Sequence, residues 1–226
     1  YEDKKVNKDR IPIDFKRYPL QQTASSILNL ENLEIKPLIK SPNPPSDIIG
    51  NYVVIAPHAS SHAKYWNYPG GWQQIIDYLN NKGYSVVMLT QEPLGDEWHD
   101  SKLGGTLTGV IDKTGDLPIQ ERMIDIKNAK AFIGVGSGLS WISWALNTPT
   151  IMISGFSYPY TEFQDCERIF PKDPKVCTGC FNKHWLNPGD WEWCPEHQNT
   201  SRQFECTKSI TSEVVIKSLE KILNIY

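Results

Sequence analysis

The chain has 226 residues, enough for one large domain or two small ones with a sizeable core. An apolar fraction of 39% against 22% charged residues reads as a soluble globular protein. A net charge of −3 at pH 7 lacks the basic footprint of a nucleic-acid binder, and no apolar run approaches the ~20 residues needed to span a bilayer. The charged opening Glu2-Asp3-Lys4-Lys5 does not read as a signal peptide, and a start on Tyr1 without methionine suggests processing or excision from a longer protein.

Residues 1–48 read as a connector. Pro12, Pro19, Pro37 and the cluster Ser41-Pro42-Asn43-Pro44-Pro45-Ser46 favour extended chain, with one short helix from Leu20 to Leu30 whose Leu20, Ala24, Ile27 and Leu28 share a face. From residue 49 the texture changes. Tyr52 to Ile55 is a β-branched run and reads as a buried strand. Trp72, Ile75, Ile76 and Leu79 are spaced for a helix to Lys82, with Gly83 at its C′ position. Val86 to Leu89 is the next strand, and Leu107 to Ile111 a weaker one interrupted by Gly109. Asp116-Leu117-Pro118 opens a helix to Lys127. Ala131 to Val135 and Thr150 to Ile153 are strands, separated by a helix from Ser140 to Leu146. A closing helix runs from Thr211 to Leu223. Buried strands alternating with amphipathic helices predict an α/β fold, a Rossmann-like three-layer sandwich on a parallel sheet. Residues 49–226 form that domain, with 164–208 as a cysteine-rich block and 210–224 as its last helix.

Ligands of such sheets sit beyond the carboxyl ends of the strands. After the first strand come Ser60, Ser61 and Lys64. Hydroxyls and a cation in that place suit a phosphate, and a solvated loop is the alternative. After Val135 comes Gly136-Ser137-Gly138-Leu139-Ser140-Trp141. The glycines let backbone N–H groups approach an anion, or simply make a tight turn. No Gly-Lys-Ser/Thr follows, so it is not a Walker A loop. After Leu89, Glu92 can accept from ribose hydroxyls or stand in solvent.

All five cysteines fall between Cys166 and Cys206. Cys177 and Cys180 are separated by two residues, Cys194 follows after thirteen and Cys206 after eleven more. A Cys-x2-Cys turn is the short chelate of tetrahedral sulfur sites, and two further cysteines complete a four-sulfur shell for zinc or iron. Two disulfides are the alternative. Cys166, separated from Cys177 by ten residues, reads as a spare buried thiol, and His184 and His197 are substitute ligands. Trp185, Trp191 and Trp193 are expected around the metal loops or on a partner surface.

Together these segments resemble a known family. Ile55 to Trp66 is similar to the donor-domain opening of bacterial heptosyltransferases. Gly134 to Ala145, continued by Thr148-Pro149-Thr150-Ile151, is similar to their Gly-x-Asp-Ser/Thr-Gly-Leu-x-His signature. Tyr18 to Ala24, Ser154-Gly155-Phe156-Ser157 with Thr161-Glu162-Phe163, and the block from Cys177 to Cys206 resemble the autotransporter O-heptosyltransferase branch. The resemblance runs from about Ile11 to the end. It implies an inverting GT-B glycosyltransferase that uses ADP-heptose and modifies serines of autotransporter adhesins in the cytoplasm, as a homo-oligomer. It implies donor binding by Ser60, Ser61, Lys64, Glu92, Ser137, Gly138 and Leu139; Trp141, whose role the resemblance does not cover, suits stacking on a base or sugar, with core packing as the equal alternative. It implies iron on Cys177, Cys180, Cys194 and Cys206, with zinc as the fallback. Gly136 departs from the family's Asp, and Trp141 from its His. The family's catalytic base belongs to an acceptor domain for which this chain has no candidate, so the expectation is a donor half, inactive by itself. A catalytically silent nucleotide-sugar-binding or assembly module is the alternative.

Overall fold

The computed structural model describes residues 14, 16–31, 34–40, 45–187 and 189–224. The expected linker at 41–44 and the opening residues up to Ile13 lie outside them. The strands are β1 (Tyr52–Ala56), β2 (Ser85–Met88), β3 (Ile111–Asp112), β4 (Ala131–Val135), β5 (Thr150–Ile153) and β6 (Glu167–Ile169). The helices are α1 (Leu20–Ile27), α2 (Gly71–Asn81), α3 (Glu97–Leu103), α4 (Ile119–Asn128), α5 (Gly138–Ala145), α6 (Cys180–Lys183), α7 (Glu205–Lys208) and α8 (Ser212–Leu223). The strands form one sheet in the order β3-β2-β1-β4-β5-β6, every neighbouring pair parallel.

The central strands read as unbroken apolar runs because both of their faces are covered. Val53, Ile55, Ile133, Val135, Ile151 and Ile153 point to the layer of α2 and α8, where they meet Trp72, Ile75, Ile76, Leu79, Val215 and Leu219. Val54, Ala56, Val87 and Phe132 point the other way, to Ile126 of α4 and to Leu139, Ile142 and Leu146 on and after α5. Burial stabilises each large side chain by about 1.5–3 kcal/mol, so the sheet is the folding unit. The expected three-layer parallel sandwich is what forms.

Local differences have local causes. The weak strand predicted from Leu107 shrinks to Ile111–Asp112, because Gly105 and Gly109 hold φ at +127° and +74° and carry the chain through a loop. Leu107 is buried from that loop. Helix α1 stops at Ile27 rather than Leu30, since Asn29 turns left-handed just past its end. Helix α3, strand β6 and the two four-residue helices α6 and α7 have no counterpart in the sequence reading. Helix α3 is capped by Asp96, whose Oδ1 accepts from the His99 N–H at 2.9 Å, and is closed by Gly104 at φ +89°. Strand β6 lies within the stretch read as the cysteine-rich block and adds an edge beside β5.

The segment before the sheet is tied to its far end. The Leu20 N–H donates to the Thr161 carbonyl at 2.8 Å, Lys36 Nζ lies 2.7 Å from Asp165, and Tyr160 Oη donates to the Lys16 carbonyl at 2.6 Å. Helix α1 buries none of its residues, and Ile27 and Leu28 are two-thirds exposed. Among the described residues no helix is long and apolar enough to cross a membrane.

Candidate functional site

The strand order reverses between β1 and β4, since the chain runs outward one way through β2 and β3 and the other way through β5 and β6. That reversal opens a crevice beyond the carboxyl ends of the two strands, where open α/β sheets bind ligands. The loop after β1 and the turn into α5 frame it, as expected from the sequence.

Two cavities flank the turn at Gly136 to Gly138. The larger, about 500 Å³, is lined on one side by Ser60, Ser137, Gly138 and Leu139 and on the other by Thr90, Glu92 and Arg122. The smaller, about 190 Å³, is lined by Lys64, Trp141, Glu162 and Phe156, with Ser137 and Gly138 shared. The fold therefore brings Ser60, Glu92 and Leu139 to one cavity and Lys64 and Trp141 to the other. Ser61 lines neither. It is buried, and its Oγ has no partner among the described residues.

Ser137 is the N-cap of α5, and no side chain caps the first turn. Its N–H groups and the positive end of the helix dipole form an anion-receptive point between the cavities. Lys64 Nζ reaches Ser60 Oγ at 3.4 Å. Burial pulls its basicity below that of an ordinary lysine, partly offset by the Glu162 carboxylate. An incompletely hydrated cation and an uncapped helix are good receptors for a diphosphate.

Glu162 went unassigned in the sequence reading. It is 5% exposed, accepts from Ser157 Oγ at 2.7 Å and pairs with Arg168 Nη1 at 3.2 Å. A Cβ on Gly136 would lie 2.8 Å from Glu162 Oε1. The carboxylate lost at position 136 is thus present in space, supplied by another segment. Trp141 packs edge-on against Trp144 and Phe163, at centroid distances of 5.8 and 5.1 Å, and only its remaining surface faces the smaller cavity.

Glu92 does not stand free in the larger cavity. Its Oε2 lies 3.4 Å from His58 Nδ1 and its Oε1 4.0 Å from His99 Nε2. His58 is buried, stacks between Tyr65 and His99, and is held below the usual imidazole range mainly by that burial. The ring nitrogens of His58, both Asp100 carboxylate oxygens, Tyr65 Oη and Trp191 Nε1 have no hydrogen-bond partner among the described residues.

The cysteine block packs on the same end of the sheet. The Gly179 N–H donates to the Gly155 carbonyl and Phe181 N–H to the Phe156 carbonyl, so the Cys-x2-Cys turn is stitched to the loop after β5. Gly179 has φ +72°, and a Cβ there would lie 2.5 Å from the Tyr158 ring. All five cysteines are free thiols, against the disulfide alternative. Burial raises Cys180, and the nearby Cys177, Cys206 and Cys194 add to it; burial likewise raises Cys206, with Cys194 and Cys177 contributing. Burial also raises Cys177, and soft sulfur donors of this kind suit a thiolate-bound metal. The closed four-sulfur shell expected from spacing is not, however, the group that closes here. The ligand atoms found within 4.8 Å of one another are those of Cys177, His197 and Glu205. Glu205 is drawn in because it accepts from the Cys177 N–H at 2.7 Å, with His197 Nε2 3.6 Å away. Cys166 is the spare thiol foreseen, half-buried rather than buried, and burial pushes it up to about 11. Trp193 packs with Phe156, Cys180, Cys194 and Phe204 as expected, whereas Trp185 is 48% exposed and Trp191 turns toward the larger cavity.

A helix-capped crevice of this kind on a Rossmann-like lobe has close counterparts. Residues 21–164 match glycosyltransferase family 9 (heptosyltransferase), and the chain belongs to that family. It is 38% identical over 216 residues to the autotransporter heptosyltransferase TibC of Escherichia coli O78:H11, covering 93% of this chain and 51% of TibC. It is 38% identical over 209 residues to the autotransporter heptosyltransferase BAHTCr of Citrobacter rodentium, covering 90% and 49%. The inactive autotransporter heptosyltransferase BimC of Burkholderia thailandensis is 30% identical over 203 residues, covering 89% and 47%. The crystal structure of TibC, a dodecameric iron-containing heptosyltransferase in complex with ADP-D-beta-D-heptose, superposes with a TM-score of 0.83 at 35% identity, covering 94% of this chain and 55% of TibC. The chain spans about half the length of the curated relatives it matches.

Proposed function

We propose that this chain forms the donor-binding part of a protein O-heptosyltransferase, which transfers heptose from ADP-heptose to serines of autotransporter adhesins with inversion. The observation that carries the reading is the convergence of Lys64 and the uncapped α5 N-terminus on the crevice between β1 and β4. Lys64 neutralises the diphosphate, which accepts hydrogen bonds from the amides of Ser137, Gly138 and Leu139 and from the Ser60 hydroxyl, whereas Ser61, buried away from both cavities, takes no part. Glu92 accepts from the ribose hydroxyls. The heptose lies toward the smaller cavity, near Trp141. Charge grows on the diphosphate as the glycosidic bond breaks, and a fixed dipole and a partly dehydrated cation stabilise that charge without reorganising. The acceptor serine attacks the opposite face of the anomeric carbon, its proton taken by an acidic base from the acceptor domain that the family resemblance implies.

Cys177, Cys180, Cys194 and Cys206 hold an iron ion in this reading. Bound there, the ion supplies a structural cross-link for loops poor in aliphatic residues, not a step of the transfer. The likeness to TibC supports iron, a homo-oligomer and an autotransporter acceptor; an adhesin as that acceptor and a cytoplasmic setting, where thiols stay reduced, are what the family resemblance implies. The domain reading follows: a connector over 1–48 and a donor lobe over 49–226 that includes the block.

The second reading, a donor-binding module without activity, is favoured by Gly136 and by the likeness to BimC, described as inactive. Thermal melting with ADP-heptose tests the shared premise. ADP-heptose raises the melting temperature of the wild type, and Lys64→Ala abolishes most of that rise, with an affinity loss of about 10- to 100-fold, the range for a charge-assisted contact. A wild type that no nucleotide sugar stabilises sinks both readings. Transfer to an adhesin peptide separates them.

A further inference from the structure

The larger cavity has one wall that comes from the cysteine block rather than from the sheet. Trp191, three residues before Cys194, lines it together with the aliphatic side chains of Leu117, Ile119, Leu139 and Ile142. The indole is held from several sides. Trp98 packs on it at a centroid distance of 4.8 Å, and the rings of Tyr65 and His99 meet it edge-on at 6.2 and 6.5 Å. Its backbone is fixed as well, since its carbonyl accepts from the His62 N–H at 3.2 Å. The next residue, Glu192, takes His62 Nδ1 at 2.7 Å and Lys102 Nζ at 3.1 Å. His62 belongs to the same loop as Ser60 and Lys64. The block therefore grips the loop assigned to phosphate and presents an aromatic ring to the adjoining cavity. The Trp191 Nε1–H is buried with no acceptor among the described residues. A cavity lined by aromatic and aliphatic side chains beside an anion-receptive point suits the base of a nucleoside diphosphate.

We propose that Trp191 is a nucleotide-contacting residue of the larger cavity and that metal in the cysteine block holds it in place. The inference rests on the donor-site reading and extends it to a residue that the sequence reading placed with the metal loops. Calorimetric titration of the metal-loaded protein with ADP tests it, alongside Trp191→Ala, Trp191→Phe and Trp191→Leu. Trp191→Ala weakens ADP binding about tenfold, and Trp191→Phe keeps it within about threefold, as stacking on an aromatic face requires. Trp191→Leu keeps the bulk without the π-face and follows Ala, which decides the matter if the smaller residue disturbs the fold. Stripping the metal with a chelator weakens ADP binding in the wild type and adds little in Trp191→Ala. Wild-type affinity in Trp191→Ala, equal affinities for the Leu and Phe variants, or equal losses on stripping with and without Trp191 each overturn the proposal. A well-folded, metal-loaded wild type that fails to bind ADP removes the donor-site reading itself, and this inference with it.

Discussion

The sheet and the cysteine block occupy one molecule but are held together by different physics. The sheet is sandwiched between helices whose Ile, Val, Leu and Trp side chains are almost fully withdrawn from water. Beyond the edge strand β6, the block has a small cluster of Ala63, Phe156, Trp193, Phe204 and cysteines, two four-residue helices, and otherwise turns. It leans on the sheet through Gly155, where a Cβ would meet the Cys206 carbonyl at 2.9 Å, and through Glu192. The contrast sets a part that folds by burial of large apolar faces against one built of turns around a small cluster of aromatic rings and cysteines.

Metal removal is the strongest way to break the comparison. Chelation, or Cys180→Ser, abolishes amide protection between 177 and 206 and leaves β1 and β4 protected in hydrogen exchange. Uniform loss across the chain contradicts the division. Ile133→Ala works from the other side. It removes a fully buried side chain and costs about 2–5 kcal/mol in denaturant titrations, with the block losing order alongside the sheet because it is anchored there. A block that keeps its metal after the sheet unfolds refutes the dependence. Gly136→Asp probes the seam between the two parts. A second carboxylate against Glu162 destabilises by about 1–3 kcal/mol, and Glu162→Gln in the same chain recovers part of it. The smallest effect is acid sensitivity. Burial holds His58 and His62 below the usual 6.5, so the unfolded chain takes up protons that the fold refuses. Stability falls as pH drops through about 6.5 and is indifferent to these groups above it, by at most ~1.4 kcal/mol per unit for each histidine. Urea midpoints at mildly acidic and neutral pH report the sign.

These regions also differ in how far they could be read beforehand. Tyr52–Ala56, Ala131–Val135 and Thr150–Ile153 announce themselves because strands covered on both faces must be apolar throughout. Glu167–Ile169 is too short and too polar to stand out, and only its place beside β5 makes it a strand. Helix α3 carries few apolar residues, yet Asp96 and Gly104 bracket it with cap signals that were there to use. At the crevice, Ser60, Lys64 and the Gly136 turn were legible because ligand position follows from strand order. Glu162 and Trp191 were not, since each reaches the crevice from a distant segment, and only folding reveals that one faces Gly136 and the other the larger cavity.

Lys64 carries one more consequence. No carboxylate of a described residue comes within salt-bridge distance of its ammonium, and the fold has already stripped part of its water. In the donor-site reading, burial that already disfavours the charge on Lys64 spares an arriving anion part of that dehydration. Such preorganisation trades resting stability for grip on the ligand. Neutralising this one side chain should leave the ligand-free fold no weaker while loosening the complex, so the two quantities part company at a single residue.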